Sequence, residues 1–220
     1  TDKAANPINL YGATKLASDK IFIAANNIVG SQKTSFSVVR YGNVLASRGS
    51  VLQLFDKHIR ENKKYLPITD EKMTRFFITL NQAVDFVIKS FERMSGGEIF
   101  VPKIPSVKIL DLAKAMAPNL KHKIIGIRPG EKIHETMCPN EFYAHTLEFK
   151  DHFIIFPSLK TLDNKKNFIK NNSGEKGKQV TPSFEYASDS NKNFLSKVQI
   201  KKMLADTVWC CPTADKVLIN

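Results

Sequence analysis

Cysteine is scarce in this chain: three occur in 220 residues, and two of them, Cys210 and Cys211, are neighbours. That excludes a disulfide framework and fits a reducing compartment. There is no Cys-x-x-Cys pair, and His58, His122, His134, His145 and His152 lack His-Glu-x-x-His spacing, so no metal motif is present. No apolar run approaches the roughly 18–20 residues that cross a bilayer, which excludes a helical membrane protein. Gly-x-Ser-x-Gly, a P-loop lysine, Gly-x-Gly-x-x-Gly and internal repeats are also missing. The chain opens on Thr1 with no initiator Met, signal peptide or transit sequence, which reads as a processed terminus or a fragment.

What is present describes a globular protein. Hydrophobic residues make up 42% and charged ones 25%, enough for a sizeable core. The net charge of +12 points to an anionic partner: nucleic acid, a membrane surface or a phosphorylated small molecule. Helical periodicity runs over residues 11–28, with Gly30 as the expected C-cap, and over 51–62 and 109–117. Asn81 is the expected cap of a helix over 82–94. Buried strands are expected at 36–40 and 98–102, and further strands at 76–79, 123–127 and 152–157. The alternation predicts an α/β protein with a parallel sheet. Residues 160–180, rich in Lys, Asn, Ser and Gly, read as a mobile loop.

Four constellations could carry chemistry. Tyr11 and Lys15 lie one helical turn apart, and an ammonium there favours the phenolate, making Tyr11 a plausible base toward a hydroxyl. By itself, the spacing is more often a solvated lysine beside a packed tyrosine. Thr1-Asp2-Lys3 sets a carboxyl beside an amine, an acid and a base on one substrate, or simply an exposed ion pair. Arg75 and Arg128 carry donor forks suited to phosphate oxygens, and two converging would hold a diphosphate. Tyr41-Gly42-Asn43-Val44 with Ser47-Arg48-Gly49-Ser50-Val51 is a strand end followed by a glycine-bearing loop, where parallel sheets bind ligands. Lys160, Lys165, Lys166, Lys170, Lys176, Lys178, Lys192, Lys197, Lys201 and Lys202 have few aromatics among them and read as a solvated face, not a nucleic-acid groove.

Together these segments resemble the extended short-chain dehydrogenase/reductase superfamily, and within it the inverting UDP-N-acetylglucosamine 4,6-dehydratases. The likeness rests on residues 1–15, Val39-Arg40-Tyr41-Gly42-Asn43-Val44, Ser47-Arg48-Gly49-Ser50-Val51, Met73-Thr74-Arg75-Phe76, residues 96–105 and residues 128–135, in order and at family-like spacing. Asp2-Lys3 stands where retaining dehydratases carry Asp-Glu, and Tyr11 is missing from the long membrane-anchored relatives. The resemblance is therefore to the short soluble enzymes of pseudaminic acid synthesis, which serves bacterial flagellin and surface glycosylation. The absent glycine fingerprint, which in that family precedes the Thr-Asp-Lys segment, implies a fragment inactive alone.

The resemblance implies a Rossmann-like doubly wound parallel sheet, of which this chain carries the C-terminal part, plus a mixed α/β substrate-binding domain. Residues 1–45 and 76–102 would belong to the Rossmann part, 46–75 and 103–207 to substrate binding, and 208–220 to an atypical tail. It implies a cytoplasmic homo-oligomer that uses NADP and UDP-N-acetylglucosamine, with no metal, nucleic acid or membrane partner. Tyr11 with Lys15 would take the 4-hydroxyl proton, Lys3 the C5 proton, and Asp2 would protonate the departing 6-hydroxyl. Thr1 would hydrogen-bond Tyr11 or the substrate. Tyr11, Lys15 and Val44 would touch the cofactor; Asn43, Arg48, Gly49, Ser50, Val51, Leu52, Arg75, Arg128 and Glu131 would hold the nucleotide sugar. The rivals are an epimerase or reductase of the same superfamily, which needs no Lys3, and a non-catalytic basic binding domain.

Overall fold

Asn9 begins the first long helix because its side chain accepts the orphan amide of Gly12, and α1 runs Leu10–Ala25. It ends earlier than its apolar period suggests. Asn26 caps it, donating to the Ile23 carbonyl and exchanging bonds with the backbone of Phe36, which ties the helix end to the chain entering the next strand. The computed structural model describes residues 1–29, 34–157 and 168–206. Gly30, Cys210, Cys211 and the 208–220 tail lie outside the described residues.

Strand β1 (Val38–Val39) pairs in parallel with β5 (Ile99–Pro102). β10 (His152–Ile155) then adds antiparallel to β5, followed by β9 (Thr146–Glu148) and β11 (Lys178–Gln179). The sheet is thus parallel only in part. Residues 149–151 between β9 and β10 are too few for a crossover, so that pair must be a hairpin. A second sheet sets β2 (Asn43–Val44) parallel to β4 (Thr74–Ile78), with β6 (Ser106–Lys108) antiparallel beyond it. β3 (Tyr65–Ile68) runs parallel to β7 (Lys121–Ile124), and β8 (Thr136–Cys138) antiparallel to β12 (Tyr186–Ala187).

Helix α2 (Val51–Arg60) buries Leu52 and Phe55, one turn apart. α3 (Leu80–Arg93) starts from Thr79, not Asn81: Thr79 and Gln82 form a reciprocal capping box, and Ala83, Phe86, Ser90 and Arg93 make the inward stripe. α4 (Ile109–Met116) and α5 (Lys197–Asp206) pack on the core that holds Leu52, Phe55, Leu66, Ile68 and Phe77. Residues 168–180 are not the loop expected from composition. Phe168 is buried, β11 joins the sheet, and Glu175 pairs with buried Arg93 at 2.8 Å. Lys170, Lys176, Lys178, Lys192, Lys197, Lys201 and Lys202 are all exposed, as a solvated face requires; Lys160, Lys165 and Lys166 lie outside the described residues.

Candidate functional site

Asp2 and Lys3 sit in a single 3₁₀ turn, Asp2–Ala4, laid against the strand ends when the amide of Asp2 donates to the Tyr41 carbonyl at 3.0 Å. The Asp2 carboxylate is 1% exposed; its Oδ1 accepts from Lys3 Nζ and from the Thr1 hydroxyl, each at 3.2 Å. The Thr1 hydroxyl, expected to bond Tyr11 or the substrate, donates to Asp2 in this structure. Asp2 Oδ2 is buried with no hydrogen-bond partner. The Lys3 side chain is 39% exposed and opens onto a cleft of about 570 Å³.

That cleft gathers Lys3, Asn43, Gly49, Ser50, Val51, Arg75, Arg128 and Glu131 from segments far apart in the chain. Asn43 comes from β2, and Gly49 to Val51 from the loop and first turn of α2. Ser50 occupies the N-cap position of α2 but makes no side-chain cap bond, so the first-turn amides are not capped by it. Asn43 Oδ1 and Ser50 Oγ are both buried without a hydrogen-bond partner. Unpaired buried polar atoms are rare in folded proteins, and their concentration in one cleft marks a place where a ligand completes the bonding.

The two arginines have different jobs. Arg75 is buried; its Nη1 donates to the carbonyls of Thr74 and Ile133 and its Nη2 to that of Lys132, at 2.7–2.8 Å. Burial lowers its pKa, against the raising influence of Glu135, Glu131 and Asp2. Its Nη donors therefore tie the 132–133 backbone into the cleft wall, which Arg75 itself helps to line. Arg128 is the exposed one, 75% accessible, with Nε and Nη2 forked onto Glu131. Partial burial pushes the Glu131 carboxyl up, but the Arg128 bond and charge outweigh it and hold it below its usual range. Nη1 of Arg128 takes no part in that fork and remains to meet an anion.

Of the expected residues, Thr1, Asp2, Tyr11, Lys15, Val44, Arg48 and Leu52 are not part of the cleft wall. Tyr11 and Lys15 lie on the outer side of α1, with Tyr11 57% exposed and Lys15 Nζ 5.3 Å from its ring centre, so the one-turn pairing exists. Arg48 is exposed and does not line the cleft. Leu52 has its side chain fully buried in the core, because it is the inward residue of the first turn of α2, which leaves its backbone to meet a ligand. Val44 is half-buried in β2.

Some cleft residues had no role assigned from the sequence. Asn9 donates to the Gly130 carbonyl at 2.7 Å while capping α1, and Lys132 donates to the Ala5 carbonyl at 2.6 Å. These two bonds strap the arginine loop onto the Asp2-Lys3 segment. Glu135, buried beside Arg75 and Lys132, also lines the cleft. Behind them, Arg40 spans Asp19 of α1 at 3.0 Å and the Met137 carbonyl at 2.9 Å. Their partners lie 21 to 127 positions away, so no local pattern signals them.

Known proteins share this arrangement of segments. Residues 1–157 match the family described as polysaccharide biosynthesis protein. The chain is 56% identical over 94% of its length to the UDP-N-acetylglucosamine 4,6-dehydratase (inverting) of Campylobacter jejuni, covering 62% of that protein. It is 39% identical over 93% of its length to the UDP-glucose 4-epimerase of Rickettsia rickettsii, covering 59% of it. Among solved structures, Pen from Bacillus thuringiensis superposes with a TM-score of 0.78 at 35% identity, over 93% of this chain and 60% of that one. The chain thus spans less than two thirds of the length of these relatives.

Proposed function

This chain belongs to the polysaccharide biosynthesis protein family, and we propose that it carries the acid–base and nucleotide-sugar-binding part of an inverting UDP-N-acetylglucosamine 4,6-dehydratase. The observation that carries this reading is the Lys3–Asp2 pair, 3.2 Å apart, whose lysine opens onto the cleft. An epimerase exchanges hydrogen at C4 alone and has no use for a second acid–base pair. A dehydratase must take a proton from C5 and protonate the oxygen leaving C6. A phosphorylated sugar also suits the wall of the cleft, where Arg128 meets anionic oxygens and Asn43, Ser50 and Glu135 present unpaired polar atoms to hydroxyl and amide donors.

The donor set on α1 fits a nicotinamide nucleotide, since a phenol and an ammonium one turn apart are both reachable from solvent. Tyr11, Lys15 and Val44 would hold NADP, which when bound supplies hydride acceptance and return. Tyr11 takes the C4 hydroxyl proton with Lys15 beside it. Once C4 is a ketone, the C5 proton is acidic, and Lys3 removes it as the neutral amine. Asp2, carrying the proton handed over as Lys3 becomes the neutral amine, gives it to the C6 oxygen, the C6–O bond breaks, and water departs; C6 would take back the hydride removed from C4, while a proton reaches C5 on the opposite face and inverts that centre. The chemistry belongs to the synthesis of a 6-deoxy-4-keto sugar for pseudaminic acid, in the cytoplasm and in a homo-oligomer.

Product NMR tests this reading. The full protein with NADP and UDP-N-acetylglucosamine in deuterium oxide is expected to yield a UDP-linked 2-acetamido-2,6-dideoxy-4-keto sugar with deuterium at C5, and Lys3→Ala to yield none. A C4 epimer as the product, or wild-type C5 exchange in Lys3→Ala, would overturn it.

A further inference from the structure

Glu135 takes no part in the proton transfers above, yet its side chain is the most deeply set carboxylate lining the cleft, 4% exposed. Oε1 stands 3.9 Å from Arg75 Nε, and Oε2 stands 3.6 Å from Lys132 Nζ; neither distance is a hydrogen bond. Both cations already have other bonds. Arg75 donates to the carbonyls of Thr74, Lys132 and Ile133, and Lys132 donates to that of Ala5. Those bonds hold the two cations at these distances from Glu135. Oε2 is left buried with no hydrogen-bond partner.

The main chain gives Glu135 little freedom to withdraw. Its amide donates to the Ser188 hydroxyl at 2.9 Å, and the Ser188 amide donates to the Glu135 carbonyl at 2.8 Å. Ser188 in turn bonds Thr74 Oγ1 at 2.7 Å, and Thr74 bonds His134 Nδ1 at 2.8 Å. Burial, followed by the charge of Asp2, holds the Glu135 carboxyl above the usual range, against Arg75, Lys3 and Lys132. A rigid, incompletely paired carboxylate is costly to keep, and a ligand donor would offset that cost.

We propose that Glu135 is a substrate-orienting residue whose incompletely paired carboxylate, at the cleft wall, accepts a hydrogen bond from a neutral donor, a hydroxyl or the amide N–H, on the hexosamine ring. The assignment rests on the nucleotide-sugar reading above. Phosphate oxygens offer no donor and carry the same charge as Glu135 and Asp2. The diphosphate is thereby turned away from this wall and left to Arg128 and the first turn of α2, while the ring faces Asp2 and Lys3. Glu135 thus distinguishes the sugar end of the ligand from its phosphate end.

Calorimetric titration of the full protein with UDP-N-acetylglucosamine and with UDP alone tests the assignment. Glu135→Met, similar in size but without an acceptor, is expected to bind the sugar nucleotide about tenfold more weakly and UDP within twofold of wild type. Glu135→Gln, which keeps a carbonyl, recovers part of the loss. Equal weakening of both ligands, or of neither, overturns the assignment. Wild-type protein that binds neither ligand overturns the nucleotide-sugar reading itself, and this assignment with it. If Glu135→Met fails to fold, the ¹³C carboxyl resonance of Glu135 in the wild type decides: it shifts with UDP-N-acetylglucosamine and not with UDP, and an unmoved resonance overturns the assignment.

Discussion

A Cβ atom built on Gly12 would stand 2.6 Å from the carbonyl oxygen of Lys3. It would also meet Pro7 Cβ at 2.9 Å. The helix bearing Tyr11 is therefore pressed against the backbone of the proposed C5 base, and only a residue without a side chain permits that approach. An alanine in a helix interior usually gains about 0.5–1 kcal/mol over glycine. Here the clash is with backbone, which has no rotamer to escape into. Gly12→Ala is expected to lower the melting temperature and, by moving Lys3 from Tyr11, to reduce kcat about a hundredfold. Thermal unfolding and steady-state rates check it; a stabilised, fully active variant would show that the approach has no catalytic consequence.

Arg75 and Arg128, similar in sequence context, are expected to fail differently. Arg128→Ala removes an exposed fork, so its fold is expected to lose less than about 1 kcal/mol, while KM for the sugar nucleotide rises tenfold or more. Arg75→Met strands three backbone carbonyls and the Glu135 carboxylate inside the protein, which is expected to cost about 3–5 kcal/mol of stability. Denaturant titration beside KM separates the two. An Arg75→Met protein of wild-type stability and raised KM would return Arg75 to the diphosphate.

Asn9 joins two tasks in one side chain, and substitution can separate them. Its Oδ1 caps α1 and its Nδ2 holds the Gly130 carbonyl. Asn9→Asp keeps an acceptor for the cap, and its charge suits the positive end of the helix. It loses the donor to Gly130. Near-wild-type melting with raised KM is expected for Asn9→Asp, and Asn9→Ala should lose about 1 kcal/mol as well. Equal KM values in both variants and wild type would leave Asn9 a cap alone.

What could be read from the sequence was local. Asp2 beside Lys3 is a matter of adjacency, and Tyr11 over Lys15 one of helical period. Both pairings stand in the structure. The bonds that Arg75 makes to the carbonyls of Lys132 and Ile133 were not legible, because those acceptors lie 57 and 58 residues away. Nor was the part played by residues 168–180: their polar composition hides Phe168, and Arg93 finds Glu175 across 82 positions. The start of α3 was legible but misplaced, since Thr79 and Gln82 are three apart as a capping box requires, and Asn81 drew attention from them.

His152 makes the fold sensitive to acid. Its ring is fully buried and stacked on Phe149 at 4.6 Å, with Phe86 and Phe100 alongside. Nδ1 lies 2.7 Å from Asp151 Oδ1, and Nε2 is buried without a partner. Burial lowers the pKa from the ordinary 6.5, outweighing the raising effect of the hydrogen bond to Asp151. The folded state therefore resists a proton that the unfolded chain accepts. Stability from this residue is complete above pH 6.5 and is lost as pH falls from there through the lowered folded value. Glu135, with its raised pKa, contributes in the opposite sense, losing its share of stability as pH rises above 4.5 through its folded value. The difference between wild type and His152→Phe cancels that contribution. Melting temperatures taken from pH 8 downward are expected to fall less steeply for His152→Phe below 6.5, and parallel curves for the two proteins would mean that His152 titrates alike in both states.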